Sequence, residues 1–140
     1  MTAIRRFALP VVIVAALALT PACAKKYAAE KDGKDVGEAA CDVRDADKGS
    51  VDDALKELND QLDDIDSNYA VFTAEDRADI DEQFSDLAEH VKDGNEALIN
   101  QDLTVIQRSL DNIKDDLSDT ARATVDGFFE GLDDCVNGSS

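Results

Sequence analysis

One histidine, three cysteines and 32 acidic side chains hold most of the reactive chemistry this 140-residue chain offers. His90 lies between Glu89 and Val91, and a histidine beside carboxylates is able to act as a base or a metal ligand. No serine–histidine–acid set, reactive cysteine, glycine-rich phosphate loop or His/Cys metal cluster accompanies it. Haem in a helical bundle would want more than one histidine plus a Met or Cys, and the only methionine is Met1. Asp45-Ala46-Asp47-Lys48-Gly49 opens like a calcium loop but fails at its fifth position, Gly49, and its twelfth, Lys56, where an acidic ligand belongs. His90 therefore reads as a solvated residue on a helix flank. The acid pairs Asp63-Asp64, Asp115-Asp116 and Asp133-Asp134 read as solvated faces. The expectation is a protein without catalytic residues, metal site or cofactor.

Cys23 has a different context. Arg5 and Arg6 precede an apolar run from Phe7 to Leu19, which ends in Thr20-Pro21-Ala22-Cys23. A basic head, a short apolar stretch and a small-residue exit form an export signal, and the run falls short of the ~20 residues that span a bilayer. The segment resembles a bacterial lipoprotein signal, in which a lipobox ends in a cysteine that is acylated and becomes the mature N-terminus. That resemblance implies a signal peptide over 1–22, lipid on Cys23 and attachment to the outer face of the cell membrane. Ala22-Cys23-Ala24 is also an Ala-x-Ala site, which would instead free a soluble secreted chain at Lys25. Either route leaves Cys41 and Cys135 as one pair in an oxidising compartment, and predicts a disulfide between them.

Charge divides the remainder. The net charge is −18 overall, but from Asp35 onward 30 acids face 8 bases, a balance of −22. Lys25 to Lys34 carries four lysines against Glu30 and Asp32. This segment reads as part of a flexible, lipid-anchored arm over 23–49, beside an anionic membrane surface that repels the acidic domain beyond it. So acidic a surface excludes nucleic acid as a partner.

The elements that position these residues are helices. Val51, Leu55, Leu58, Leu62, Ile65 and Tyr69 recur at helical spacing, with Ser50 and Asp53 as a capping box. Ile80, Phe84, Leu87 and Val91 form a second stripe, capped by Thr73 with Asp76 and punctuated by Gly94 and Asn95. Leu103, Ile106, Leu110, Ile113 and Leu117 form a third, with Asp102 as cap, and Ala121, Val125, Phe128, Leu132 and Cys135 a fourth. The pattern predicts an all-α protein, a small up-down four-helix bundle over 50–135, with helices near 51–67, 74–93, 103–117 and 119–134 and a tail over 136–140. A three-helix bundle with one long last helix is the alternative. In the four-helix path, the end of the last helix returns beside the start of the first and brings Cys135 to Cys41.

Tyr69, Val71 and Phe72 fall in a connector where periodicity does not require large apolar side chains, which makes them candidate partner-binding residues. The functional expectation is a membrane-anchored, extracytoplasmic, non-catalytic accessory or scaffold protein that contacts an envelope protein. A freely secreted acidic binding or inhibitor protein and a low-affinity cation-binding envelope protein are the alternatives.

Overall fold

The structure is a computed structural model and describes residues 21–136, with side chains from Ala24 onward. Residues 1–20 of the expected signal peptide over 1–22, the side chain of Cys23 and residues 137–140 of the tail lie outside the described residues. Five helices follow in order: α1 (Pro21–Asp45), α2 (Val51–Tyr69), α3 (Ala74–Asp93), α4 (Glu96–Lys114) and α5 (Asp119–Val136). The all-α class holds, but the described residues form five helices rather than four, because the segment expected to be a flexible arm contributes α1.

The reason lies in small residues. Ala29, Gly33, Val36, Ala40 and Val43 recur at spacing 4-3-4-3 and are all buried. This is a helical stripe whose side chains are too short to register as hydrophobic. Gly33 and Gly37 press on α5, where Gly127 and Gly131 repeat their four-residue spacing. A Cβ on Gly33 would lie 1.9 Å from the Thr124 carbonyl oxygen, and one on Gly127 would lie 1.9 Å from that of Glu30. The backbones are in direct contact, an approach open only to residues without a side chain. Glu30 faces Gly127, Lys34 faces Gly131 and Cys41 bonds Cys135, so α1 and α5 run parallel.

The short connectors make every consecutive pair antiparallel. Lys92 of α3 meets Asp52 of α2 while Arg77 meets Asp63, at 2.6 and 2.7 Å. Thr73 caps α3 as expected, its hydroxyl accepting from the Asp76 N–H at 3.0 Å. Ser50 precedes α2 but makes no side-chain cap, because its backbone is already helical whereas a capping residue is extended. The cap of α4 is Asn95, which accepts from the Leu98 N–H at 3.2 Å, not Asp102. The helix therefore starts seven residues earlier than 103 and buries Ile99 as an extra turn of the stripe. Between α4 and α5 the Arg122 guanidinium donates to the carbonyls of Lys114, Asp115 and Leu117. Those are the free acceptors of a helix end, and the break they mark sets aside a single long last helix.

The core gathers the predicted stripes around Phe84 and Phe128, whose ring centroids lie 6.1 Å apart. The Cys41–Cys135 pair closes with a Cα–Cα distance of 5.8 Å. It joins two packed helices rather than clipping an arm to one.

Candidate functional site

Once α1 is a seated helix, its acidic face becomes part of a defined surface. Asp32, Asp35, Glu38 and Asp42 follow one another on the flank of the buried stripe of α1. On antiparallel α2, Glu57, Gln61, Asp64 and Asn68 recur at spacing 4-3-4 on the flank of Leu58, Leu62 and Ile65. The two flanks enclose a groove of about 470 Å³, floored by Val36, Ala39 and Ile65. Six of its lining side chains are carboxylates and none is basic.

Two contacts shape this groove. The Tyr69 hydroxyl donates to Asp32 Oδ2 at 2.6 Å, tying the end of α2 to α1 at one rim. Burial, and then the bond to Asp32, push the Tyr69 phenol up to about 12, so it remains a donor at any physiological pH. Gln61 Oε1 is buried and has no protein hydrogen-bond partner. A buried acceptor left unmatched is costly. The groove suits a ligand that brings donors and positive charge. Its carboxylates do not converge as a metal site: among the described residues no three His, Cys, Asp or Glu side chains come together to hold an ion.

The residues expected to bind a partner lie elsewhere in the packing. Val71 is 1% exposed and Phe72 9% exposed, and both belong to the core. The Phe72 N–H donates to Asp66 Oδ1 at 2.8 Å, and Ala70 takes a left-handed backbone with φ 53°. These fix a turn that folds the two side chains inward as a plug at the bundle end. Tyr69 is partly buried and engaged with Asp32. The three are therefore not an exposed docking patch. Phe129, next to inward-facing Phe128, is partly buried, with the Lys114 ammonium 6.0 Å from its ring centre.

His90 also differs from its expected solvation. Its Nδ1 lies 2.5 Å from Asp102 Oδ2, linking α3 to α4, and both side chains are mostly covered. The bond to Asp102 holds the imidazole above its ordinary 6.5, with Asp86 and Glu89 adding to it and burial opposing. Asp102 is thus an interhelical partner rather than a cap. Asp63, from one of the acid pairs, pairs with Arg77, while its neighbour Asp64 faces the groove.

The groove escaped the sequence reading because α1 was not expected as a helix. The recurrence of acids at 32, 35, 38 and 42 beside small residues at 29, 33, 36 and 40 was its signal. Among the described residues no helix is long and apolar enough to cross a membrane. No protein-family model, curated protein or solved structure matches this chain.

Proposed function

We propose that this chain is a lipid-anchored, extracytoplasmic, non-catalytic accessory protein that receives a cationic segment of an envelope partner in the α1–α2 groove. The observation that carries this reading is the groove lining: six carboxylates, of which Asp35 meets a lysine, Lys31, at 3.3 Å, and no basic side chain among the lining residues. Lysine or arginine side chains supply donors and positive charge to the carboxylates, and their alkyl stems lie along the groove walls. Charge speeds the encounter and rejects acidic competitors.

The test is crosslinking in membranes followed by affinity purification, comparing the wild-type chain with a variant carrying Glu38→Gln, Asp42→Asn, Glu57→Gln and Asp64→Asn. These changes neutralise four groove carboxylates while conserving shape. The expected result is a crosslinked protein with an exposed basic segment, lost in the variant, whose synthetic segment binds the wild-type chain in a salt-sensitive way. Recovery of the same proteins by the neutralised variant would remove the groove from the function.

A further inference from the structure

We infer that the first two turns of α1 form a rigid foot seated on the headgroup layer of an anionic bilayer, standing the bundle upright with its disulfide end outermost. The inference rests on the lipid-anchored reading above and concerns how the anchor holds the domain.

α1 begins at Pro21, and among its described side chains the first to be buried is Ala29. Lys25, Lys26, Tyr27 and Ala28 are exposed one after another, so different sides of the helix face solvent there. The register of the glycine seam places the start of α5 beside Lys26 and Tyr27, which share a surface cleft with Asp119 and Arg122. In a mature chain beginning at Cys23, the residues of α1 before Lys26 thus project past its main partner by ~4 Å, at 1.5 Å per residue.

The composition of this projection differs from that of the body. Three large apolar side chains are left exposed among the described residues, and Tyr27, at 72%, is by far the most open. Lys25 and Lys26 stand beside it, in a chain whose net charge is −18. A ring with a polar tip flanked by lysines matches the chemistry of a membrane interface, where aromatics settle at headgroup depth and basic side chains meet anionic lipid. Position agrees with composition. Cys23 lies at this end of α1, so a lipid on Cys23 is one helical turn from Tyr27.

No slack separates this foot from the fold, because the seam from Glu30 to Cys41 holds α1 backbone to backbone against α5. With the anchor at Cys23, Asp32 stands ~13 Å and Asp42 ~28 Å along the helix from the lipid. The acidic groove then runs outward from the membrane, and a partner segment filling it runs the same way.

The chain contains no tryptophan, so Tyr27→Trp and Val136→Trp each place a single reporter at one end of the bundle. The full processed chain is reconstituted into phosphatidylcholine vesicles, with and without phosphatidylglycerol, containing lipid brominated in the acyl chains. The expected result is blue-shifted, quenched emission from the Tyr27→Trp protein, strengthened by phosphatidylglycerol, and neither effect at Val136→Trp. Adding Lys25→Glu and Lys26→Glu to Tyr27→Trp should abolish the response to phosphatidylglycerol while the protein still floats with the vesicles. A Tyr27→Trp protein that floats but emits as in water, unquenched, would overturn the foot and leave the anchor standing. Equal quenching at both positions would overturn the upright pose. A protein that does not float at all would overturn the anchor, and the foot with it.

Discussion

Replacing Gly127 by alanine tests whether α1 is a packed helix or a loose arm. The new Cβ would lie 1.9 Å from the Glu30 carbonyl oxygen, and within 3 Å of the Glu30 carbonyl carbon and the Lys34 nitrogen. Ordinary contact begins at 3.4 Å, so the two backbones must separate by about 1.5 Å. No rotamer relieves this, since the groups in collision are main chain. A gap of 0.5–1 Å already forfeits roughly a quarter to a half of a dispersion well, so Val36, Ala40 and Val43 lose contact along the seam. Overpacking of a core costs about 1–3 kcal/mol and occasionally more, and this backbone collision belongs at the upper end or beyond. Alanine returns about 1 kcal/mol of helix propensity. The net expectation is a loss of about 2–4 kcal/mol, or a Tm lower by about 8–16 °C for a domain of this size. Gly33→Ala should behave alike, because its Cβ would lie 1.9 Å from the Thr124 carbonyl oxygen. Gly49→Ala, with nothing within 4 Å of its Cβ, should stay within about 0.5 kcal/mol of wild type. Urea unfolding followed by circular dichroism, under non-reducing conditions, reads all three. Should Gly33→Ala and Gly127→Ala match Gly49→Ala, the seam does not exist and the account of α1 fails.

Cys135→Ser opens a link across 94 residues, which the chain-entropy model values at about 4–5 kcal/mol; non-reducing peptide mapping should recover Cys41 joined to Cys135, and thermal melting should show the loss. Phe72→Ala should destabilise the fold by about 3 kcal/mol or more, as truncation of a buried ring does, and unchanged melting would mean that the ring is not part of the core. His90 is the only histidine, so its NMR titration is unambiguous and should give a value above 6.5, since Asp102 favours the charged ring. The stability this pair adds is full below 6.5 and fades as pH rises through the raised folded value. Wild type minus His90→Gln, compared by urea unfolding across that range, should therefore shrink toward alkaline pH. A difference that grows instead would refute the assignment.

Where side chains are large, the sequence displays the fold openly. Val51 to Tyr69, Ile80 to Val91 and Ala121 to Cys135 carry their stripes in Leu, Ile, Val and Phe, and helices form over those residues. The disulfide was legible too, because Cys41 and Cys135 are left as one pair on either expected processing route at Cys23. α1 was not, for a physical reason. Its buried face is Ala, Gly and Val amid Lys, Asp and Glu, and hydropathy averages that mixture into a linker. What makes the face adhesive is not apolar volume but its absence, which lets backbone meet backbone across Gly33, Gly37, Gly127 and Gly131. The candidate groove depends on that helix and so was hidden with it. Val71 and Phe72 show the converse: large apolar residues in a connector look like spare surface, whereas Ala70 turns left-handed and the chain folds them inward.

The proposed role depends first on a lipid at Cys23, the point from which the foot, the seam and the outward groove are measured. Intact mass spectrometry of the mature chain extracted from bacterial membranes tests this most directly. The account predicts a polypeptide beginning at Cys23 and carrying the mass of a diacylglyceryl group. A mature chain beginning at Lys25, free of lipid and recovered from the medium, would contradict it.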